Sequence, residues 1–404
     1  MKLALIIDDY LPDSTRVGAK MFHELAVQLV QQGHQITVIT PVPDSSDIVK
    51  CDCIDDVVIW RFKSGKIKDV SKAKRAMNET MLSFRAWSAI KDKIKENTFD
   101  GVVYYSPSIF WGYLVNKIKE RCSCPSYLVL RDMFPQWVID AGMLRSGSLL
   151  HRYFRFFENY SYKQADCIGL MSDKNLQEFS DANPVYSCEV LRNWASLEAY
   201  IPKNGQCSTL REKLSLQNKT IFFYGGNIGH AQDMSNLMRL ARSMQKHRDA
   251  HFLFVGQGDE VELINRLAND WELKNFSYLP SVSQSEFKEI LSEVDIGLFS
   301  LSANHTSHNF PGKLLGYMVQ SLPILGSVNS GNDLLDVVNS NNAGFIHVNG
   351  DDSALLQSAE KLLLQKELRT STGRYANALL VDQFSVHSAA QAIEKRFEVG
   401  NATT

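Results

Sequence analysis

The chain has 404 residues, too many for one ordinary core and the right number for two domains of roughly 150 to 200 residues each. Apolar residues make up 44% and charged residues 22%, a balance that excludes disordered, collagen-like and coiled-coil chains. With 43 basic and 45 acidic residues the net charge is −2, which argues against a nucleic-acid binder held by phosphate contacts. The seven cysteines include no C-x-x-C, and the pairs Cys51/Cys53 and Cys122/Cys124 lack the ligand spacing of a zinc site, so a reduced, cytosolic thiol pool is expected. The apolar start, residues 1–7, meets Asp8 and Asp9 too soon for a signal peptide, and no apolar run approaches the ~20 residues that span a bilayer. Membrane contact is therefore expected to be peripheral.

In chain order, residues 3–7 read as a buried strand and a polar loop follows. Met21, Phe22, Leu25, Leu29 and Val30 then mark one helical face that Gly33 ends. Residues 35–40 form the next strand, so the unit is β-α-β and its strands are parallel. Further strands are predicted at 57–62, 102–105, 127–130 and 167–171. The alternation breaks at 201–219, where Pro202, Asn204 and Gly205 suggest a linker. It restarts with strands at 220–224, 251–255, 276–279, 296–300, 323–325 and 344–347. The expected organisation is two doubly wound, Rossmann-like α/β domains, at 1–200 and 220–385, with ligands in the cleft outside the carboxyl ends of their strands. Residues 386–404 are expected to form a helix that packs back on the first domain.

Several strand-end loops are candidates for ligand contact. Residues 8–18, DDYLPDSTRVG, form a long connector with a single glycine, so it is not the dinucleotide fingerprint. In YGGNIG, 224–229, three glycines follow a strand, and small residues there let backbone N–H groups and a helix N-terminus meet a phosphate. The next strand ends in Gly256-Gln257-Gly258, which serves equally as a tight turn or a ligand contact. Pro311-Gly312-Lys313 opens a helix after the strand at 296–300, which places Lys313 to offer a point charge to a diphosphate. His305 and His308 lack a carboxylate or cysteine at ligand spacing, and substrate binding or a structural role leads for both. Ser330, Gly331, Asn332 and Asp333 form a further small-residue loop. No D-x-D occurs, so no carboxylate clamp for a nucleotide-bound metal is present and no metal or other cofactor is expected.

Residues 61–95 carry eleven basic side chains against three acidic ones, interleaved with Trp60, Phe62, Phe84 and Trp87. Together with HRYFRFFENYSYK at 151–163 they could rest on an anionic membrane surface or simply form a solvated helix over core rings.

The loops DDYLPDSTRVGAK, YGGNIGHAQDM and VGQGDE, and FPGKLLGYM followed by SLPILGS, together with two doubly wound domains, resemble glycosyltransferase family 4, whose fold is GT-B. Within it, the first loop, RDMFPQWVIDAGML and the Lys313 segment resemble the bacterial O-antigen enzymes that transfer N-acetyl-L-fucosamine. The resemblance covers nearly the whole chain. It implies transfer of that sugar from UDP to N-acetylglucosamine on undecaprenyl diphosphate, at the cytoplasmic face of the inner membrane, without nucleic acid as a partner. It implies donor contacts from Gly226, Asn227, Ile228, Gly229, Gly256, Gly258, Leu279, Pro280, Pro311, Gly312, Lys313, Leu314, Gly331, Asn332 and Asp333. Acceptor contacts would come from Arg16, Val17, Gly18, Tyr105, Arg131 and Asp132, and the catalytic set would be Lys313, His308, Asp132 and Arg131, with Asp132 the base if the reaction inverts. The chain departs from the family pattern at several places. His308 and Gly316 stand where many members have two glutamates. Asn227 and Gln232 stand for an arginine and a lysine, and Arg131 for a histidine. Another UDP-sugar transferase of the family, a UDP-sugar 2-epimerase and a non-catalytic UDP-sugar-binding subunit remain open at this point.

Overall fold

Runs of β-branched and aromatic residues that are apolar at every position, such as LALI near the start and IFFYGG from Ile221, can only be strands buried on both faces, and parallel sheets bury strands in this way. The computed structural model describes all residues except 13, 15, 44, 67–70, 107, 132, 141–143, 202–208, 304–310 and 403–404, and among them the strands form two sheets. The chain divides into two units, Met1–Asn193 with Val386–Thr404, and Trp194–Ser385.

The first unit holds β1 (Lys2–Ile6), β2 (Gln35–Val42), β3 (Val49–Ile54), β4 (Val57–Lys63), β5 (Gly101–Tyr105), β6 (Ser126–Val129), β7 (Cys167–Leu170) and β8 (Cys188–Val190). Their order across the sheet is β3-β4-β2-β1-β5-β6-β7-β8, and β3 alone runs antiparallel. β3 and β8 add two edge strands to the six expected. β3 joins β4 through Asp55 and Asp56, both in the left-handed region (φ 49° and 61°), the geometry a two-residue hairpin turn requires. The helix Val17–Gln31 buries Ala19, Met21, Phe22, Leu25, Ala26 and Leu29, close to the stripe read from its spacing.

The second unit holds β9 (Thr220–Asn227), β10 (Ala250–Gln257), β11 (Phe276–Leu279), β12 (Ile296–Ser300), β13 (Ile324–Val328) and β14 (Gly344–Val348), all parallel, in the order β11-β10-β9-β12-β13-β14. Alternate residues of β9 feed two cores. Phe222 and Tyr224 join Phe252, Phe254 and Leu298 on one face, while Phe223 joins Leu253, Val255, Phe299 and Tyr317 on the other. Each such ring stabilises the fold by about 1.5 to 3 kcal/mol through burial.

The chain leaves the first unit at Asn193, earlier than the expected 200, and residues 209–219 of the expected linker belong to the second unit. There Thr209 and Glu212 make a reciprocal capping box on the helix Leu210–Lys213, and Arg211 reaches Asp295 at 2.7 Å and the Glu293 carbonyl at 2.8 Å. The helix Val386–Ala402 packs on the helix Val17–Gln31 and on β6, within the first unit.

In each sheet the strand order reverses once, between β1 and β5 and between β9 and β12. Connections leave these neighbouring strands in opposite directions, which opens a crevice at their carboxyl ends. β9 pairs with β12 only at Phe222↔Ile296 and Phe223↔Gly297, while it follows β10 as far as Asn227↔Gln257.

Candidate active site

The reversal point of the second sheet is held open by one tyrosine. Beyond Gly225 the strands β9 and β12 no longer exchange backbone bonds, and the Tyr317 hydroxyl spans them: it accepts from the Gly225 N–H at 3.2 Å and donates to the Leu298 carbonyl at 3.2 Å. Gly297 makes room for that ring, since a β-carbon there would lie 2.3 Å from Tyr317 Cδ2. Tyr317 and Lys313 are four residues apart on the helix Gly312–Val319, hence on one face, so fixing the first also aims the second.

Lys313 is the second residue of that helix, after Pro311 at its N-cap. Its Nζ donates to the Tyr224 hydroxyl at 2.6 Å and lies 3.9 Å from the centroid of the Tyr224 ring. Gly226, exposed and at φ 113°, leaves the space beside it open, and a β-carbon at Gly226 would come 3.6 Å from Nζ. The ammonium is crowded and poorly hydrated, and this burial pushes the Lys313 pKa down from 10.5 to about 7. It pairs with no carboxylate among the described residues. A cation beside an open strand end, with helix N–H groups close by, is a place for an anion.

The other donor residues expected from the sequence fall along the same carboxyl edge, with different duties. β9 runs through Gly225, Gly226 and Asn227, so the glycines read as a turn lie in strand, and the turn begins at Ile228. Asn227 is exposed, and its amide donates to Gln232 at 2.8 Å. The Ile228 side chain is buried in the core, and its N–H donates to the Gln257 carbonyl at 2.9 Å, so neither is offered to a ligand. Gly229 is buried beside Asp259 and Gln232. Gly256 and Gly258 are small because backbone meets backbone there: β-carbons would lie 1.8 Å from the Gly226 carbonyl and 2.1 Å from that of Ile228. Leu314 is a core residue. Leu279 ends β11, with Pro280 exposed after it. Gly331 is exposed at φ 78°, while the Asn332 side chain is spent within its own turn, donating to Asn329 Oδ1 at 2.9 Å and accepting from the Leu334 N–H at 3.0 Å. Asp333 caps the helix Leu334–Ser340 without a side-chain cap bond. His305 and His308 lie outside the described residues.

At the reversal point of the first sheet the structure gathers Arg16, Val17, Gly18 and Tyr105. Gly18 faces the Tyr105 ring, which a β-carbon would approach to 3.1 Å, and that ring packs on Phe22 at 4.7 Å. Val17 is exposed. Arg16 lies 3.5 Å from Asp8 and 3.3 Å from Asp9, and Ser14 donates to Asp9 at 2.8 Å. Burial pushes the Asp8 carboxyl above the usual range against the pull of Arg16. Asp8 was not singled out from the sequence, although a carboxylate directly after a buried strand is the signal for it. Arg131, expected on the acceptor side, has a structural duty in the fold. It is buried, and its guanidinium donates to the carbonyls of Leu130 (3.2 Å), Gly169 (3.5 Å) and Arg192 (3.3 Å), which makes it a brace across β6, β7 and the segment after β8. Asp132 lies outside the described residues.

The basic, aromatic stretch is also redistributed. Phe62 and Trp60 pack in or on the core, Arg61 bonds Asp52 at 2.7 Å, and Arg85 bonds Asn78 at 3.0 Å. The large apolar side chains left exposed there are Met77, Met81 and Phe84 on the helices Lys72–Thr80 and Leu82–Ile90 and the residue between them, and Leu149 (85% exposed), Leu150, Tyr153 and Phe156 (64%) on the helix Leu149–Gln164. A hydroxyl bond between Thr80 and Tyr153 joins the two groups.

Comparison with known proteins agrees with this geometry. Residues 208–395 match the family described as glycosyl transferases group 1. WbjE of Pseudomonas aeruginosa, named as a glycosyltransferase, is 22% identical over 58% of this chain and 59% of its own length, so the chain spans less than two thirds of that relative. WcaI of Escherichia coli (strain K12), named for colanic acid biosynthesis, is 22% identical over 78% of this chain and 80% of its own. Among solved structures, Anabaena Alr3699/HepE in complex with UDP and glucose superposes with a TM-score of 0.68 at 12% identity, covering 99% of this chain and 100% of that one. Residues 208–395 thus resemble a glycosyl transferases group 1 domain, and the fold is GT-B. No helix among the described residues is long and apolar enough to cross a membrane.

Proposed function

We propose that the chain transfers a sugar from a uridine diphosphate donor bound at the β9/β12 crevice to a lipid-linked acceptor. One observation carries this reading: the Lys313 ammonium, without a carboxylate partner among the described residues, lies beside the open strand end at Gly226. When the glycosidic bond breaks, negative charge grows on the departing diphosphate, and an ammonium already in place stabilises that charge more than the ground state. The complex of Alr3699/HepE with UDP and glucose supports a uridine nucleotide as the donor class. In a chain without D-x-D the charge is met by protein groups, so turnover persists in a chelator; loss in EDTA with rescue by a divalent ion would overturn that part.

The finer reading is N-acetyl-L-fucosamine as the sugar and N-acetylglucosamine-diphospho-undecaprenol as the acceptor, and it rests on the sequence resemblance. A lipid acceptor agrees with the exposed apolar face of Met77, Met81, Phe84, Leu149, Tyr153 and Phe156, flanked by exposed Lys74, Arg152 and Lys163, which suits an anionic bilayer surface. Replacing Leu149 and Phe156 together by serine should cut co-sedimentation with anionic vesicles on the order of tenfold, and unchanged binding would remove the membrane from the account. The deciding assay is incubation with a panel of UDP-sugars and synthetic N-acetylglucosamine diphosphate lipid, followed by mass and anomeric analysis. Product without acceptor would mean an epimerase. UDP binding with no product from any pair would mean a non-catalytic subunit.

A further inference from the structure

We infer that Tyr224 is a positioning residue for Lys313, whose amino group it holds at the crevice, aimed at the donor diphosphate, and whose charged form it favours. This rests on the donor site proposed above.

Tyr224 ends the apolar run of β9, and its ring lies in the core with Phe254 5.4 Å away. A phenolic hydroxyl has one proton and two lone pairs. The proton goes to the Asn227 carbonyl, three residues on in the same strand, so the lone pairs face the Lys313 ammonium. One side chain thereby ties the exposed end of β9 to the cation of the helix Gly312–Val319. The ring face adds attraction for the same charge. Burial holds the Tyr224 hydroxyl protonated well beyond the usual tyrosine range, so it serves as a neutral acceptor and never as a counter-ion. That distinction matters, because a phenolate or carboxylate would neutralise the ammonium, whereas a neutral oxygen and a ring face favour the charge while leaving it available to an incoming anion. The other titratable groups around the pair are Tyr317, one turn along the same helix and bonded to Leu298, and Glu260, before the helix Val261–Asp270, whose charge reaches Tyr224.

The test is UDP affinity between pH 6 and 9 for wild type, Tyr224→Phe, Lys313→Met and the double variant, each checked for folding by its melting transition. Tyr224→Phe keeps the ring and removes the acceptor, so the pH above which UDP affinity declines should move down, with affinity near pH 8 about tenfold weaker and affinity near pH 6 nearly unchanged. In the Lys313→Met background the same change should leave the profile where it was. An equal loss at every pH, or an equal loss with and without Lys313, would make Tyr224 a strand brace and overturn the inference. If Tyr224→Phe does not fold, fluorotyrosine at 224 keeps the shape and weakens the acceptor, and a smaller shift in the same direction is expected; none would overturn it. Wild type that fails to bind UDP, or Lys313→Met that binds it as tightly, would overturn the donor site itself and this inference with it. Weak binding by Lys313→Met with an unshifted Tyr224→Phe profile would overturn the role of Tyr224 alone.

Discussion

The two sheets reverse their strand order in the same way, yet they treat a basic residue there in opposite ways. At β1/β5 the cation is Arg16, over half exposed and set between Asp8 and Asp9, so its charge is answered locally and screened by water. At β9/β12 the cation is Lys313, crowded by Tyr224 and, among the described residues, answered by a neutral hydroxyl and a ring. The same topology therefore yields a neutralised loop in one unit and a charge waiting for a partner in the other. A crevice at a reversal point is only an opportunity, and the surrounding charges decide which ligand it can take.

Removing the unanswered charge should have the largest effect. Lys313→Ala is expected to lower turnover by about 10² to 10³-fold, the size seen when one donor to a developing anion is lost, with little change in the melting temperature; wild-type rates would erase the contrast between the two crevices. Next comes pH. Because burial lowers the Lys313 pKa to about 7, the free protein sheds this proton above that pH and a diphosphate must restore it, so UDP affinity should fall by up to about tenfold per unit as pH rises past 7. Over the same range the stability of the ligand-free protein gains from this group. The unfolded chain, with an ordinary lysine near 10.5, still binds the proton that the folded one has lost, so unfolding becomes less favourable as pH rises. Calorimetry in buffers of different ionisation enthalpy would detect the proton taken up with UDP, and equal heats near pH 8 would count against a neutral Lys313. The smallest effect is expected from Arg16→Ala, whose exposed pairs contribute about 0 to 1 kcal/mol to stability. UDP affinity should stay within about twofold of wild type, and a large loss would show that the two crevices do not divide the work as described.

Much of this was legible in the chain. Strands buried on both faces, such as β1, β10 and β12, announce themselves as apolar runs, and their alternation with helices dictates two doubly wound sheets. The edges were not. In β3 the sequence VKCDCI alternates charge and cysteine on an exposed edge and is paired on one side only, which leaves no apolar run to read. β8 is three residues long. The extension of β9 through Gly225, Gly226 and Asn227 was hidden because glycine reads as a turn, whereas Gly225 admits the Phe287 ring and Gly226 the Lys313 side chain. Within the site, Lys313 was legible from its place after a strand and at a helix start. Tyr224 and Tyr317 were not, since a tyrosine in an apolar run reads as core until its hydroxyl partners are seen. The spacing of Lys313 and Tyr317, with Gly297 on the facing strand, is the signal that was there to be used. Arg131 shows a related gap: nothing in a strand-end arginine announces the carbonyls of Leu130 and Arg192 that it braces.

The helix Val386–Ala402 sets the order of assembly during synthesis. Phe397 fills the space over Gly101 on β5, where even a β-carbon would come within 2.9 Å of its ring, and Glu394 accepts from His34 at 2.5 Å. The first unit to emerge from the ribosome is thus the last to be finished: it must wait, with part of β5 uncovered, while the entire second unit is translated and delivers the closing helix. Loss of this helix would injure a sheet whose other residues are translated before the second unit, and a chaperone has most to shield in that interval.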